Sequence, residues 1–402
     1  EMLTSLVGSE MCIRDSLNGA LHGIKIIEVS QVLAAPFCGY QFALLGADVI
    51  KVEIPDLPDC ARGRGPLSTL NDKGVGLTYQ VQASNKKSLA LDIRTERGRE
   101  ALLHIVKDAD VFIENYATGT LQNLGLGYDD IKTHNPKIIY CAMTGYGDEG
   151  PKASKGAYDN TIQAASGTVA QCNGVKPGLS FVDYAAGYSA AFAIAAALLQ
   201  RQRTGEGCYI SASMLEVALS LMAPEAAAKQ VAPDAPKRFE AGLQTYETAE
   251  GTLILGAFKP SQYRKLGTCF KDLGYDIPLL ADIQTWEDVW MHSDTMRSEM
   301  SEVLMQKSAA TWQKHFELSD IPAERVATLE EAVSANQTLA RGYFKPSPID
   351  ADITLPLAAY HMSQGGPELT IAPPMLGQHS RNILESAGPV SYTHLTLPTK
   401  QD

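Results

Sequence analysis

Five β-rich runs separated by helical-period text in the first 145 residues constrain this chain more than any other feature of it. Ile24 to Val29 and Val49 to Val52 flank a segment with helical periodicity. KKSLALDI, DVFIEN and KIIYCAM follow in turn, and a helix opened by Thr95 (TERGREALLHIVKDA) stands between the first two of these. Strands that alternate with helices pair in parallel, because each crossover must return to the same end of the sheet, and helices then cover both faces. The expectation is an α/β fold with a Rossmann-like large domain.

Further along, DYAAGYSAAFAIAAALLQRQRTGEG spells a long helix of small residues that ends in a basic turn, with Gly205 and Gly207 as its stop. Pro233 and Pro236 interrupt the next helical text. After them come a short strand pair, TYETAEGTLILGAF, and mostly helical sequence through Val326. The Pro-rich segments KPSPIDADITLPL and IAPPMLGQHSRNILESAG read as connections and a closing helix. The organisation expected is a large domain over 17–225, a smaller α/β domain over 226–335 and a return to the large domain over 336–388. Residues 1–16 and 389–402 resemble translated sequencing-adapter text and are set aside as foreign tails. Glu1, Glu10, Arg14 and Asp15 interrupt any apolar core that a leader peptide would need.

The chain has 402 residues, 45% of them hydrophobic, which suffices for a sizeable core and more than one domain. With 46 acidic against 34 basic residues its net charge is -12, so composition argues against a nucleic-acid partner. Seven cysteines without a CxxC pair read as reduced thiols, hence a cytoplasmic protein without a disulfide framework. The longest apolar stretch, Ala190 to Leu199, falls short of the roughly 20 residues of a membrane span, so no membrane partner is expected.

Several chemistries lack their motifs. SQVLAAPFCGY follows the first strand without GxGxxG, and no Walker lysine loop occurs, so neither nicotinamide nor P-loop chemistry is expected. Gly187, Tyr188, Ser189 and Ala190 nearly spell a hydrolase elbow, but Ala191 replaces the final glycine. The histidines show no metal-ligand spacing, and no metal is expected. Asp183 stands where the loop KPGLSFV meets the long helix. By position alone it is an ordinary N-cap, the role in which aspartate is preferred, or a carboxylate favoured by the positive end of the helix.

The segments GIKIIEVSQVLAAPFCGYQFALLGADVIKVE, SNKKSLALDIRTERGREALLHIVKDADVFIENY, GYDDIKTHNPKIIYCAMTGYG and GLSFVDYAAGYSAAFAIAAALLQRQRTGEGCYI, with the later ARGY and LGQHSRNIL, resemble the class III CoA-transferase family. That family takes in formyl-CoA and carnitine-CoA transferases and the related α-methylacyl-CoA racemases. The resemblance implies an enzyme that moves coenzyme A from acyl-CoA to a carboxylic acid, with Asp183 as nucleophile, through an aspartyl anhydride and an aspartyl-CoA thioester. It also implies an interlocked homodimer, crossed at 205–235 and 325–360. Coenzyme contacts carried over by it are Val32, Leu33, Ala34, Leu91, Arg94, Asn115 and Tyr116, together with Lys155, Tyr158 and Asp159 of KGAYDNTIQAASG. Read without the resemblance, Arg94 is a solvated charge at a helix start, Asn115 and Tyr116 form a strand-end turn, and Tyr158 is a packed aromatic.

Asn123 and Ile54 stand where formyl-CoA transferases carry basic residues, and FEAGLQTYET lacks their glycine-rich loop, which speaks against formate or oxalate as substrate. Racemases of the family place a histidine where Tyr158 stands, so a transferase is favoured. A 2-methylacyl-CoA racemase and a catalytically silent CoA-binding homologue are the alternatives.

Overall fold

A computed structural model describes residues 19–236 and 238–387; both tails set aside above lie outside this range. The chain separates into two compact units. One takes the described residues up to Ala227 and again from Gly342, and the other is Ala228–Arg341.

The first unit is built on six parallel strands: β1 (Lys25–Val29), β2 (Asp48–Glu53), β3 (Lys87–Ala90), β4 (Val111–Glu114), β5 (Ile139–Thr144) and β6 (Cys208–Ser213), in the order β3-β2-β1-β4-β5-β6. β6, whose text CYISAS alternates weakly, is a strand that the sequence reading missed. Succession runs outward in opposite directions from β1, so the order reverses between β1 and β4, and such a switch point opens a crevice at the strands' carboxyl ends. The inner strands are buried on both faces, as the strands of a parallel sheet are, with apolar side chains interrupted by the buried charges Glu28, Lys51, Glu53 and Glu114. Helix α1 (Ala34–Leu44) lies on one face with the 24-residue helix α5 (Phe181–Thr204) against it. Helix α3 (Glu96–Val106) covers the other face.

An 18-residue window of α5 is apolar enough to cross a membrane, longer than the run read from sequence, yet the helix sets Ala186, Gly187, Ala190, Ile194 and Leu198 into the core of the unit. Its small residues serve close packing. At Gly187 an added Cβ would lie 2.8 Å from both the Ala34 carbonyl and the Phe37 ring of α1.

The chain returns at Gly342 to close this unit. The hairpin β10 (Phe344–Pro346) and β11 (Thr354–Pro356) leads into a segment whose Ala358, Tyr360 and Leu369 pack on Phe37, Tyr40 and Leu44 of α1. The last helix, Ser380–Ser386, then seals the outer edge of β3. There Ser88 N–H donates to His379 Nδ1 at 3.1 Å and Ala90 N–H to Ser380 Oγ at 3.0 Å. The second unit carries an antiparallel sheet, β7 (Thr245–Glu247), β8 (Thr252–Leu255) and β9 (Ala323–Arg325), over a core of Tyr263, Phe270, Met296, Trp312 and Phe316. The six described cysteines are all free.

Charge, unexpectedly, occupies the middle of the first unit. Glu28 of β1 sits between Lys51 of β2 (3.3 Å) and Lys86 (2.5 Å), and all three side chains are essentially without solvent contact. Lys51 also meets Asp59 at 3.0 Å and donates to the Ser30 carbonyl at 2.8 Å. Glu53 of β2 takes a forked bond from Arg62, which donates in turn to the Tyr79 hydroxyl. Buried charges persist only when paired and hydrogen-bonded, and each of these is. Lack of room explains Gly39 in the middle of α1, where glycine costs about 0.5–1 kcal/mol relative to alanine. A Cβ there would overlap Glu28 Oε2, which its lysine partners hold in place. Gly39→Ala is therefore expected to destabilise the protein by about 3 kcal/mol in denaturant unfolding, despite the better helix former. An unchanged or higher midpoint would contradict it.

Candidate functional site

The crevice at the switch point is a cavity of about 470 Å³, within the range of small-molecule sites. Its wall is built from segments that follow strand ends: Gln31 to Ala34 after β1, Asn115 to Thr118 after β4, and Met143 to Gly145 at the end of β5. Ala153, Lys155 to Tyr158, Asp183 and Met214 complete it.

Asp183 does not cap α5, as a reading from position alone has it. The helix begins at Phe181, which puts Asp183 inside the first turn, and Ser180 at the cap position makes no side-chain bond. The capping carboxylate is Asp159, the first residue of α4 (Asp159–Ala165). Asp159 Oδ2 accepts the N–H of Val182 at 2.8 Å and of Asp183 at 3.1 Å, while Oδ1 accepts from Gln163 Nε2. With the first turn satisfied from outside the helix, Asp183 is left free to serve the cavity. Among the described residues its carboxylate accepts no hydrogen bond. Burial, with Asp159 close behind, pushes its pKa from 3.8 up to about 7. A carboxylate with neither hydrogen-bond donor nor cation to stabilise its charge is a stronger nucleophile than a solvated one.

The position of Asp183 relative to the β1–α1 turn follows from how the helices cross. Phe37 of α1 wedges between Tyr184 and Tyr188 of α5, edge-on, with ring centres 4.8 and 4.9 Å away. Gly187 admits the close approach just beyond.

Of the contacts expected from sequence, the cavity wall gathers Val32, Leu33, Ala34, Asn115, Tyr116, Lys155, Tyr158 and Asp183. Three stand outside it. Leu91 is buried in the apolar core with Ile93, Leu102 and Leu384, because the strand text continues inward there. Arg94 is neither in the wall nor unpaired, since it bonds Asp92 at 2.8 Å and Asp56 at 2.6 Å. Its charge reaches the site only through space, where it opposes the burial that raises the Tyr116 phenol. Asp159 supports the helix behind the cavity. Tyr158 is 69% exposed at the rim, so the packed-aromatic reading does not hold, and its backbone is pinned by Thr161 Oγ1. Asn115 grips the main chain of Gln31 from both sides, accepting its N–H at 2.9 Å and donating to its carbonyl at 2.8 Å.

Thr118, Thr144 and Met214 were not read as site residues. The hydroxyls of Thr118 and Thr144 are buried against the cavity without a hydrogen-bond partner, a state that a bound polar group would relieve. Their signal was present, since each follows a run recognised as a strand, and the residues after parallel strands line the crevice. Ser189 of the near-elbow is exposed within α5. Among the described residues no three His, Cys, Asp or Glu side chains form a group able to hold a metal.

Comparison with known proteins gives this geometry its context. The succinyl-CoA:glutarate CoA-transferase of Mus musculus is 33% identical over 383 residues, covering 91% of this chain and 86% of the relative. The succinate–glutarate CoA-transferase of Agrobacterium fabrum is 30% identical, covering 90% and 94%. A crystal structure of a CaiB/BaiF family protein from Brucella suis superposes with a TM-score of 0.79 at 28% identity, covering 92% of this chain and all of that one. The sequence model of CoA-transferase family III matches residues 21–380. Fold, strand-end cavity and sequence thus agree that the chain belongs to CoA-transferase family III and is an enzyme that transfers CoA.

Proposed function

We propose that this enzyme passes CoA from an acyl-CoA to a free carboxylic acid by covalent catalysis at Asp183. The observation that carries the reading is the half-buried Asp183 carboxylate, which faces the cavity with no bonding partner among the described residues. A carboxylate oxygen of Asp183 attacks the thioester carbon and the C–S bond breaks, leaving a mixed anhydride on Asp183 and the CoA thiolate. The thiolate attacks the Asp183 carbonyl, releasing the donor acid and forming an aspartyl-CoA thioester. The acceptor carboxylate then attacks that carbonyl and expels the CoA thiolate, leaving a second mixed anhydride. The thiolate attacks the acceptor's acyl carbon of this anhydride, forming the new acyl-CoA and restoring the Asp183 carboxylate. Each hard exchange is thereby divided into easier ones.

The anhydride survives only if water is kept away. The wall segments Leu33, Ala34, Ala157 and Met214 are apolar and suited to that. The threonine hydroxyls and Lys155 supply polar and cationic contacts for the coenzyme or a substrate carboxylate. Relatives named for succinyl-CoA, glutarate and (R)-2-hydroxy-4-methylpentanoate support short-chain organic acids as the substrate class. Tyr158 stands where a racemase has histidine, so the imidazole that would abstract an α-proton is missing from that position. A homodimer completes the reading, and the exposed Tyr184, Tyr188, Phe192 and Leu199 of α5 offer it an apolar face.

Asp183→Asn is expected to lower exchange of labelled acid into acyl-CoA by more than about a thousandfold, with folding retained. Exchange at the parent rate would end the proposal. The pH dependence has a definite sign. With the attacking group ionising at about 7, kcat for the parent enzyme should fall about tenfold per unit as pH drops below that value. Stability should move the other way. The folded state holds the Asp183 proton more tightly than the unfolded chain, so this residue weakens the fold progressively as pH rises from about 4 to about 7. Asp183→Asn should therefore be more stable than the parent by about 2 kcal/mol at pH 8, the difference vanishing near pH 4. Denaturant titrations at the two pH values measure it, and an equal difference at both would show that the carboxylate is not raised.

A further inference from the structure

Four non-glycine residues among those described have a positive φ. Three are Asn or Asp, which tolerate it; the fourth is Val32, at +70°. A β-branched residue resists this conformation most, and Val32 adopts it in the wall of the cavity that holds Asp183. Such outliers persist where the surroundings over-determine them.

The surroundings here are specific. Val32 N–H donates to Asp59 Oδ1 at 3.1 Å, and the Val32 carbonyl accepts from Gln82 Nε2. Gln31 just before is gripped by Asn115, so all four main-chain polar groups from Gln31 N–H to the Val32 carbonyl are held by side chains. Neither Asp59 nor Gln82 lines the cavity, and both are almost wholly buried. Asp59 is fixed in turn by the buried Lys51 and by Ala61 N–H at 3.0 Å. Gln82 gives its amide nitrogen to Val32 and leaves its Oε1 without a partner. The next two residues, Leu33 and Ala34, open α1 beside Asp183, and among the described residues their N–H groups donate to nothing.

We infer that Asp59 and Gln82 are positioning residues for CoA transfer: together they hold the Val32 peptide in its strained form, so that the turn keeps the free N–H groups at the start of α1 beside the cavity. Without the brace, Val32 relaxes to negative φ and the turn reorients against the reacting carbonyl. The inference rests on the Asp183 cavity being the place of transfer.

A double-mutant cycle tests it, read as kcat and KM for acyl-CoA in the labelled-acid exchange. Gln82→Leu keeps the side chain's bulk and removes the donor. It is expected to lower kcat about tenfold, with KM for acyl-CoA changed less than about threefold. In a Val32→Gly background, where the left-handed form carries no strain, the same Gln82→Leu change should cost less than about twofold. Equal losses in both backgrounds, or no loss in the first, overturn the inference and make Gln82 a packing residue. Should Gln82→Leu fail to fold, Val32→Pro decides. Its ring fixes φ near −65° and removes the N–H, so kcat should fall at least about a hundredfold, and a near-parental kcat overturns the inference. Asp183→Asn separates the two levels. If it retains exchange, the site assignment fails and the brace with it; if it is dead while Gln82→Leu and Val32→Pro are active, only the brace fails.

Discussion

The ammonium group of Lys51 is the point from which the cavity end of the sheet is hung. It stands on the second strand, without access to water, and meets Glu28 of the first strand, the carbonyl of Ser30 and Asp59 of the following loop. Those three contacts tie adjacent parallel strands to the turn that leaves the first of them. They reach the cavity through Asp59, whose other oxygen takes the Val32 N–H. Burial alone would strip the proton from such a lysine, but the surrounding carboxylates win and raise its pKa instead. An apolar core could hold the same elements together, but it would not dictate which peptide group points where. Directional bonds to charge do so, which is why ion pairs that contribute little net stability still earn a place beneath a cavity.

A second constraint is the division of labour between two aspartates. Asp159 satisfies the first turn of the long helix, and burial, with the Asp159 charge adding to it, keeps the neighbouring Asp183 from ionising easily. One carboxylate supplies the structure and the other stands in the cavity wall without a hydrogen-bond partner, holding its proton more tightly through burial and through the first. The helix-terminus field that would ordinarily favour an ionised Asp183 is taken up by Asp159, which accepts the two N–H groups in question.

Much of this was legible in the sequence because it is periodic or positional. The strand runs that became the first five strands, the long small-residue helix and the segments after each strand end follow from alternation and from the geometry of parallel sheets. What escaped was long-range. No local pattern shows that Asp159 caps a helix beginning 22 residues later, or that Arg94 pairs with Asp92 and Asp56. Leu91 lies in the core and outside the cavity wall for a related reason. A residue at the end of a strand run faces either the crevice or the core, and only the register of the folded strand separates the two. Cys208–Ser213 was missed as a strand because its pairing with the fifth strand, and not its own weak pattern, makes it one.

The sealing of the third strand by the last helix carries a consequence for biosynthesis. Ser88 waits for His379, 291 residues further along, before its outward N–H finds a partner. At ribosomal speeds of about 5–20 residues per second, that edge stays open on the nascent chain for roughly 15 to 60 s. Folding of the sheet during translation therefore passes through a stage with the outer edge of one strand unpaired and apolar neighbours uncovered. The chain is then most exposed to aggregation, and a chaperone that shields strand edges has most to offer it.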